Sequence, residues 1–295
     1  MLYRDIPKPN FIIIGSAKCG TTTLADVLAN HADCCFSQPK EVAFFSRDEN
    51  YSRGWEWYRQ AFSHYRGEKL IGEATPNYSN IPSSPNCAKR IYEFNPEMSI
   101  VFIARHPYKK LISLWRMAHF LTDFVGHEYA KQGFEPFIRH LQKRYSVLDN
   151  CKFNFQLQAY RDFFADDKIK VLFLEDWAKN PEAEALMLCQ FLGLEPSMLP
   201  VFDEKGSNRS DGRFQERSYF SHLRKLPLLA PIRKAVPSAI SFKVGRLIGL
   251  KAIAPPQPEI STDYKQEIID YFKDDASVFL QKYGKSESFW DFHTV

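Results

Sequence analysis

The chain has 295 residues, 44% of them hydrophobic and 25% charged, enough to bury the core of one large α/β domain or two small ones. Its net charge of +4 is too mild to call for nucleic acid, and no run of about 18 apolar residues is present to span a membrane. The six cysteines form neither a C-x-x-C pair nor a Cys/His spacing that holds zinc, which suits reduced thiols in a cytoplasmic protein.

In chain order, the opening "MLYRDIPKPNF" lacks the apolar stretch of a signal peptide, and no stalk or anchor is expected ahead of the domain. "FIIIG" (11–15) is wholly apolar, as a strand buried on both faces should be. "TTTLADVLAN" (21–30) follows with helical spacing and threonine at its cap. "KLIGEATPNY" (69–78) offers a short strand. "SIVFIAR" (99–105) reads as another, and Pro107 then opens a helix through "YKKLISLWRMAHF". "IKVLFLE" (169–175) is a further strand, and an Asn-Pro start leads the next helix to a stop at Gly193.

Between Arg217 and Pro258 come eight basic residues and no acidic one, so the rest of the chain carries a net charge of about −4. This basic excursion (217–251) suits a surface loop, a lid over an anion or weak contact with a membrane surface. After "PPQP", residues from about 262 to 284 predict a closing amphipathic helix. Strands alternating with helices predict an α/β fold: a P-loop-like parallel sheet with helices on both faces, in a single domain. Ligands of such sheets bind beyond the carboxyl ends of the strands, where Lys18, Arg105 and Glu175 or Asp176 fall.

The turn after the first strand is the most informative stretch. Gly15 and Gly20 have the spacing of the G-x-x-x-x-G-K-[ST] phosphate loop, and Thr21, Thr22 and Thr23 follow. The lysine, however, is Lys18, before the second glycine. A backbone cradle for an anion is kept while the lysine has moved.

This K-x-G-T-T turn resembles the 5′-phosphosulfate loop of sulfotransferases that use 3′-phosphoadenosine 5′-phosphosulfate (PAPS). "KEVAFFS" (40–46), "GWEWY" (54–58), "GEATPNY" (72–78), "RHPYKKLISLW" (105–115), "FNFQLQAYRDFF" (153–164) and "CQFLGL" (189–194) come in the order of the branch related to heparan sulfate sulfotransferases. The resemblance covers about residues 9–210 of one domain spanning 1–295.

It implies that Lys18, Cys19, Gly20, Thr21, Thr22 and Thr23 hold the 5′-phosphosulfate, Arg105 and Ser113 the 3′-phosphate, and Lys205, Gly206 and Arg209 of "EKGSNRS" the far side of the nucleotide. It makes Glu41 the general base and Lys18 the cation that neutralises the leaving phosphate, with no metal required. A carboxylate base needs a raised pKa, which partial burial against Val42, Phe44 and Phe45 is expected to supply.

Lys40, His119 and His127 are further candidates to touch the acceptor, a small molecule or glycan. One departure stands at Ala74, where the 3-O-sulfating enzymes carry lysine; Lys40 is the nearest replacement in sequence. The competing readings are a magnesium-dependent P-loop kinase or hydrolase and a nucleotide-binding protein without catalysis.

Overall fold

A computed structural model of the chain describes residues 6–121, 123–196 and 256–292. Five strands form one parallel sheet: β1 (Phe11–Gly15), β2 (Cys34–Phe36), β3 (Leu70–Ala74), β4 (Ser99–Ala104) and β5 (Ile169–Phe173), in the order β2-β3-β1-β4-β5. Phe11 to Gly15 are all buried because β1 lies at the centre and helices cover both faces, which is why its sequence carries no polar alternation. The parallel α/β architecture expected from the strand–helix alternation is therefore present.

The helices are α1 (Thr21–Ala29), α2 (Cys87–Phe94), α3 (Pro107–Phe120), α4 (His127–Gln132), α5 (Phe134–Tyr145), α6 (Phe153–Arg161), α7 (Leu174–Lys179), α8 (Pro181–Leu192) and α9 (Thr262–Lys282). Short helical segments, Asp48–Tyr51 and Gly54–Tyr58, lie between β2 and β3. The Asn-Pro start of α8 works as read: Asn180 Oδ1 accepts the Ala183 N–H at 3.1 Å, and Gly193 closes the helix in the left-handed region.

One core surrounds the sheet, and a second joins α3, α4 and α5 to α9 through Trp115, Phe134, Phe137, Ile268 and Phe272. The aromatic richness of the sequence is mostly core. Tyr58 is fully buried, Trp115 nearly so, and Trp55 and Trp57 pack on the sheet core.

Two local expectations need correction, and one strand was missed. The cap of α1 is Gly20, not threonine: its φ is 103°, and an added Cβ would meet Leu174 Cδ1 at 2.9 Å. The strand expected to reach residue 175 ends at Phe173, so Glu175 and Asp176 sit in the first turn of α7, where carboxylates complement the helix dipole. The edge strand β2 was not foreseen, because three residues carry no period to read. The basic excursion at 217–251 lies outside the described residues.

Candidate active site

Parallel pairing brings two distant parts of the sequence together. Beyond Gly15, the Ser16 N–H donates to the Ile103 carbonyl at 2.9 Å, extending the β1–β4 ladder by one residue. The turn therefore leaves the sheet beside Arg105, whose Nη1 donates to the Lys18 carbonyl at 3.3 Å. The Cys19 N–H closes the turn on the Ser16 carbonyl at 3.1 Å, and α1 starts at Thr21. The N–H groups of the first turn of α1, at Thr21 and Thr22, have no helical carbonyl before them and present an anion cradle. At Cys19 the thiol is fully buried and folds back on the turn, donating to the Ala17 carbonyl at 3.6 Å, and burial pushes its pKa up to about 12.

Lys18 adopts a φ of 67°, uncommon outside glycine, and strain of this kind concentrates where a site over-determines it. Its Nζ lies 3.5 Å from Met117 Sδ. Burial, followed by the Arg105 charge, lowers the Lys18 pKa to about 8, and Lys40 pushes in the same direction while Glu41 pushes against it. Four of the expected residues therefore share one electrostatic neighbourhood.

Ser113 is placed by its helix. Lys110 Nζ donates to Ser16 Oγ at 2.7 Å, and Met117 touches Lys18, so the face of α3 that carries residues 110 and 117 covers the turn. Ser113, three residues after one and four before the other, belongs to that same face. The junction ahead of α3 is fixed by Glu175, whose Oε1 accepts the His106 N–H at 2.9 Å.

Glu41 sits differently from expectation. Its side chain is 54% exposed and pairs with Lys40 at 3.2 Å; the burial against Val42, Phe44 and Phe45 belongs to those residues alone. The reason is the way this segment packs on the end of β3. The Ala74 N–H donates to the Lys40 carbonyl, the Val42 N–H to Glu73 Oε2 and the Ala43 N–H to Thr75 Oγ1, which turns Val42 inward and Glu41 outward. Phe44 stacks on Tyr58 with centroids 4.3 Å apart, and burying each of Phe44 and Phe45 contributes about 2–3 kcal/mol to holding the segment. Lys40 Nζ also reaches Thr22 Oγ1 at 3.2 Å, so the segment that carries Glu41 touches the first turn of α1.

The buried acid here is Glu73. Its carboxylate accepts from Thr75 and Tyr78 hydroxyls at 2.5 Å, from Tyr58 at 2.9 Å and from the Val42 N–H. Burial nevertheless raises its pKa. A single acid inside the otherwise apolar "LIGEA" was the signal for it. Lys110 was also missed, and its spacing three residues before Ser113 was the available clue.

The histidines divide. His106 is 2% exposed, its Nε2 binds the Asp291 carbonyl at 3.2 Å, and burial lowers its pKa to about 4, so it stays neutral. His119 and His127 bond the carbonyls of Ala130 and Ala118, linking α3 to α4. A cleft of about 640 Å³ opens beside β2, between the last turns of α1 and His64, Arg66 and Glu68, with Lys40 at its rim. The loop carrying Lys205, Gly206 and Arg209 lies outside the described residues.

The sequence profile of the sulfotransferase domain matches residues 8–235, more than half of the chain. The chain belongs to the sulfotransferase domain family. It is 31% identical over 146 residues to the membrane-associated sulfotransferase kil1 of Dictyostelium discoideum, covering 48% of this chain and 29% of that protein. It is 25% identical over 198 residues to mouse heparan sulfate glucosamine 3-O-sulfotransferase 5, covering 66% of this chain and 56% of the relative. The matches thus span between 29% and 56% of the length of these curated relatives.

Among solved structures, a sulfotransferase from Alicyclobacillus acidocaldarius superposes with a TM-score of 0.63 at 22% identity, over 97% of this chain and 99% of that one. Mouse sulfotransferase SULT7A1 complexed with PAP gives 0.51 at 13% identity, over 95% and 90%. Both likenesses concern the sulfotransferase fold. Among the described residues no helix is long and apolar enough to cross a membrane, and no cluster of three or more His, Cys, Asp or Glu could hold a metal.

Proposed function

We propose that this chain transfers the sulfuryl group of PAPS to a hydroxyl or amine of a small-molecule or glycan acceptor. The observation that carries the reading is the convergence of Lys18, Arg105 and the Lys40–Glu41 pair on one turn at the start of α1. An anion cradle with a mobile-proton acceptor at its rim is what sulfuryl transfer needs. In the reaction the acceptor oxygen or nitrogen forms a bond to sulfur as the bond from sulfur to the 5′-phosphate oxygen breaks. Glu41 takes the acceptor's proton, and Lys18 neutralises charge growing on the phosphate.

Positioning and electrostatics carry such a transfer, so the chain's task is to hold the partners in line. The exposed setting of Glu41 suits a base that meets its acceptor from solvent. Arg105 and Ser113 provide a bidentate cation and a hydroxyl for the 3′-phosphate. The six cysteines, all free and buried, suit a reducing cytoplasmic compartment.

The test is calorimetric titration with 3′-phosphoadenosine 5′-phosphate (PAP), 5′-AMP and magnesium-ATP, with and without Arg105→Ala. PAP is expected to bind best, without metal, and to lose its advantage over 5′-AMP in the variant. Preferential binding of magnesium-ATP that is indifferent to Arg105 would sink the proposal in favour of a P-loop kinase or hydrolase. Asp176, one of the acids available to such an enzyme, is held by Lys285 at 2.5 Å.

A further inference from the structure

Lys110 is a buried cation for which the chemistry above has no use. It is 4% exposed, on the face of α3 that covers the turn. Its Nζ donates to Ser16 Oγ at 2.7 Å and to the Asn150 carbonyl, and lies 5.1 Å from the centroid of the Phe153 ring. All three partners are neutral. Among the described residues no carboxylate comes within ion-pair distance of it.

The acids of that neighbourhood are engaged elsewhere. Asp149 accepts from the Tyr271 hydroxyl at 2.7 Å and lies 3.6 Å from Lys152, while Asp275 accepts the N–H groups of Asn154 and Phe155. Glu175 Oε1 accepts the His106 N–H, while its Oε2 is buried with no hydrogen-bond partner among the described residues.

Taking an ammonium group out of water is costly unless an opposite charge meets it, and two neutral acceptors could be served by an uncharged donor. A lysine kept in this position is compensated when an anion occupies the turn above it. The neighbouring cations are set the same way: Arg105 reaches into the turn, and its charge helps hold down the pKa of Lys18. Lys18, Arg105 and Lys110 thus gather positive charge around Ser16 to Lys18.

We infer that Lys110 is a positioning residue whose counter-charge is the bound donor: from beneath Ser16 it fixes the turn and supplies buried positive charge to the 5′-phosphate end of the nucleotide. This rests on the PAPS reading for the identity of the anion, but its test does not. Because Lys110 acts under the turn and Arg105 at the strand end, loss of Lys110 weakens nucleotides with and without a 3′-phosphate alike.

The experiment compares wild type, Lys110→Met and Lys110→Gln in PAP and 5′-AMP titrations, with thermal melts of each protein alone and with inorganic pyrophosphate. Glutamine keeps a donor for Ser16 and Asn150 without the charge. Both variants are expected to bind PAP at least about tenfold more weakly. Both should keep the wild-type preference for PAP over 5′-AMP, and Lys110→Gln, which keeps a donor, should melt, ligand-free, no lower than wild type. Pyrophosphate should raise the melting temperature of wild type more than that of either variant.

Wild-type affinity in Lys110→Gln would show that hydrogen bonding suffices and overturn the inference. So would a ligand-free Lys110→Gln that melts well below wild type, which would make Lys110 a structural tie. If wild type ignores PAP, the PAPS reading falls by itself, and the pyrophosphate melts still decide: equal stabilisation of wild type and variants, or none, overturns the role given to Lys110.

Discussion

The two glutamates of the site region, Glu41 and Glu73, have opposite surroundings. Glu73 is fully buried, ringed by three hydroxyls and an N–H, and burial raises its pKa. Glu41, half exposed and paired with Lys40, stands at the rim of the turn. The buried one cannot meet an acceptor and instead pins the segment on which the exposed one is presented. The site region is thus divided between an enclosed floor and an accessible rim, and burial does not by itself mark a residue as a reacting group.

The sharpest way to break this division is Glu41→Gln. Turnover is expected to fall by about 10²–10⁴-fold with PAP affinity unchanged, measured by initial rates and by calorimetry. Unaltered turnover would return the role of base to another group.

A second test concerns another buried group, His106. Its folded pKa of about 4 lies below its unfolded value, so the unfolded chain takes up a proton first as pH falls. Folding stability should therefore drop between pH 6.5 and 4, by at most about 3 kcal/mol from this residue. His106→Gln should flatten that part of a urea-denaturation series, and an unchanged acid limb would disprove the neutral, buried state.

Lys18 gives a smaller effect with a definite sign. Burial holds the Lys18 pKa down to about 8, and a lysine must be charged to pair with a phosphate. PAP affinity should fall above pH 8 by up to about tenfold per unit, with proton uptake on binding, and Lys18→Arg should remove the slope. The smallest effect is expected from Tyr58→Phe, which removes one of the four bonds to Glu73. It should cost about 1–2 kcal/mol in denaturant unfolding and leave the rate near wild type. A large loss of rate without loss of stability would mean that Glu73 does more than hold the segment.

Much of this was legible before any coordinates. The wholly apolar "FIIIG", the helix opened by Pro107 and the Asn-Pro start with its glycine stop fall where expected, because each signal acts over neighbouring residues. Lys18 and Arg105 could be singled out because strand ends of a parallel sheet lie at one edge. The fully buried setting of Glu73 was not legible, nor was that of Lys110, since burial of a charged side chain depends on segments 15 to 94 residues away in sequence.

The sequence by itself determined the strand–helix alternation, the displaced lysine of the phosphate turn and the family to which the motifs belong, all written in local order and spacing. Only the tertiary structure decided that Glu41 faces solvent while Glu73 is enclosed, and that Lys110 rather than a carboxylate lies under Ser16. Those outcomes depend on which side of a segment packs against the sheet and on what lies across the gap. Desolvation and Coulomb energy follow from that three-dimensional neighbourhood, and residue order alone does not fix it.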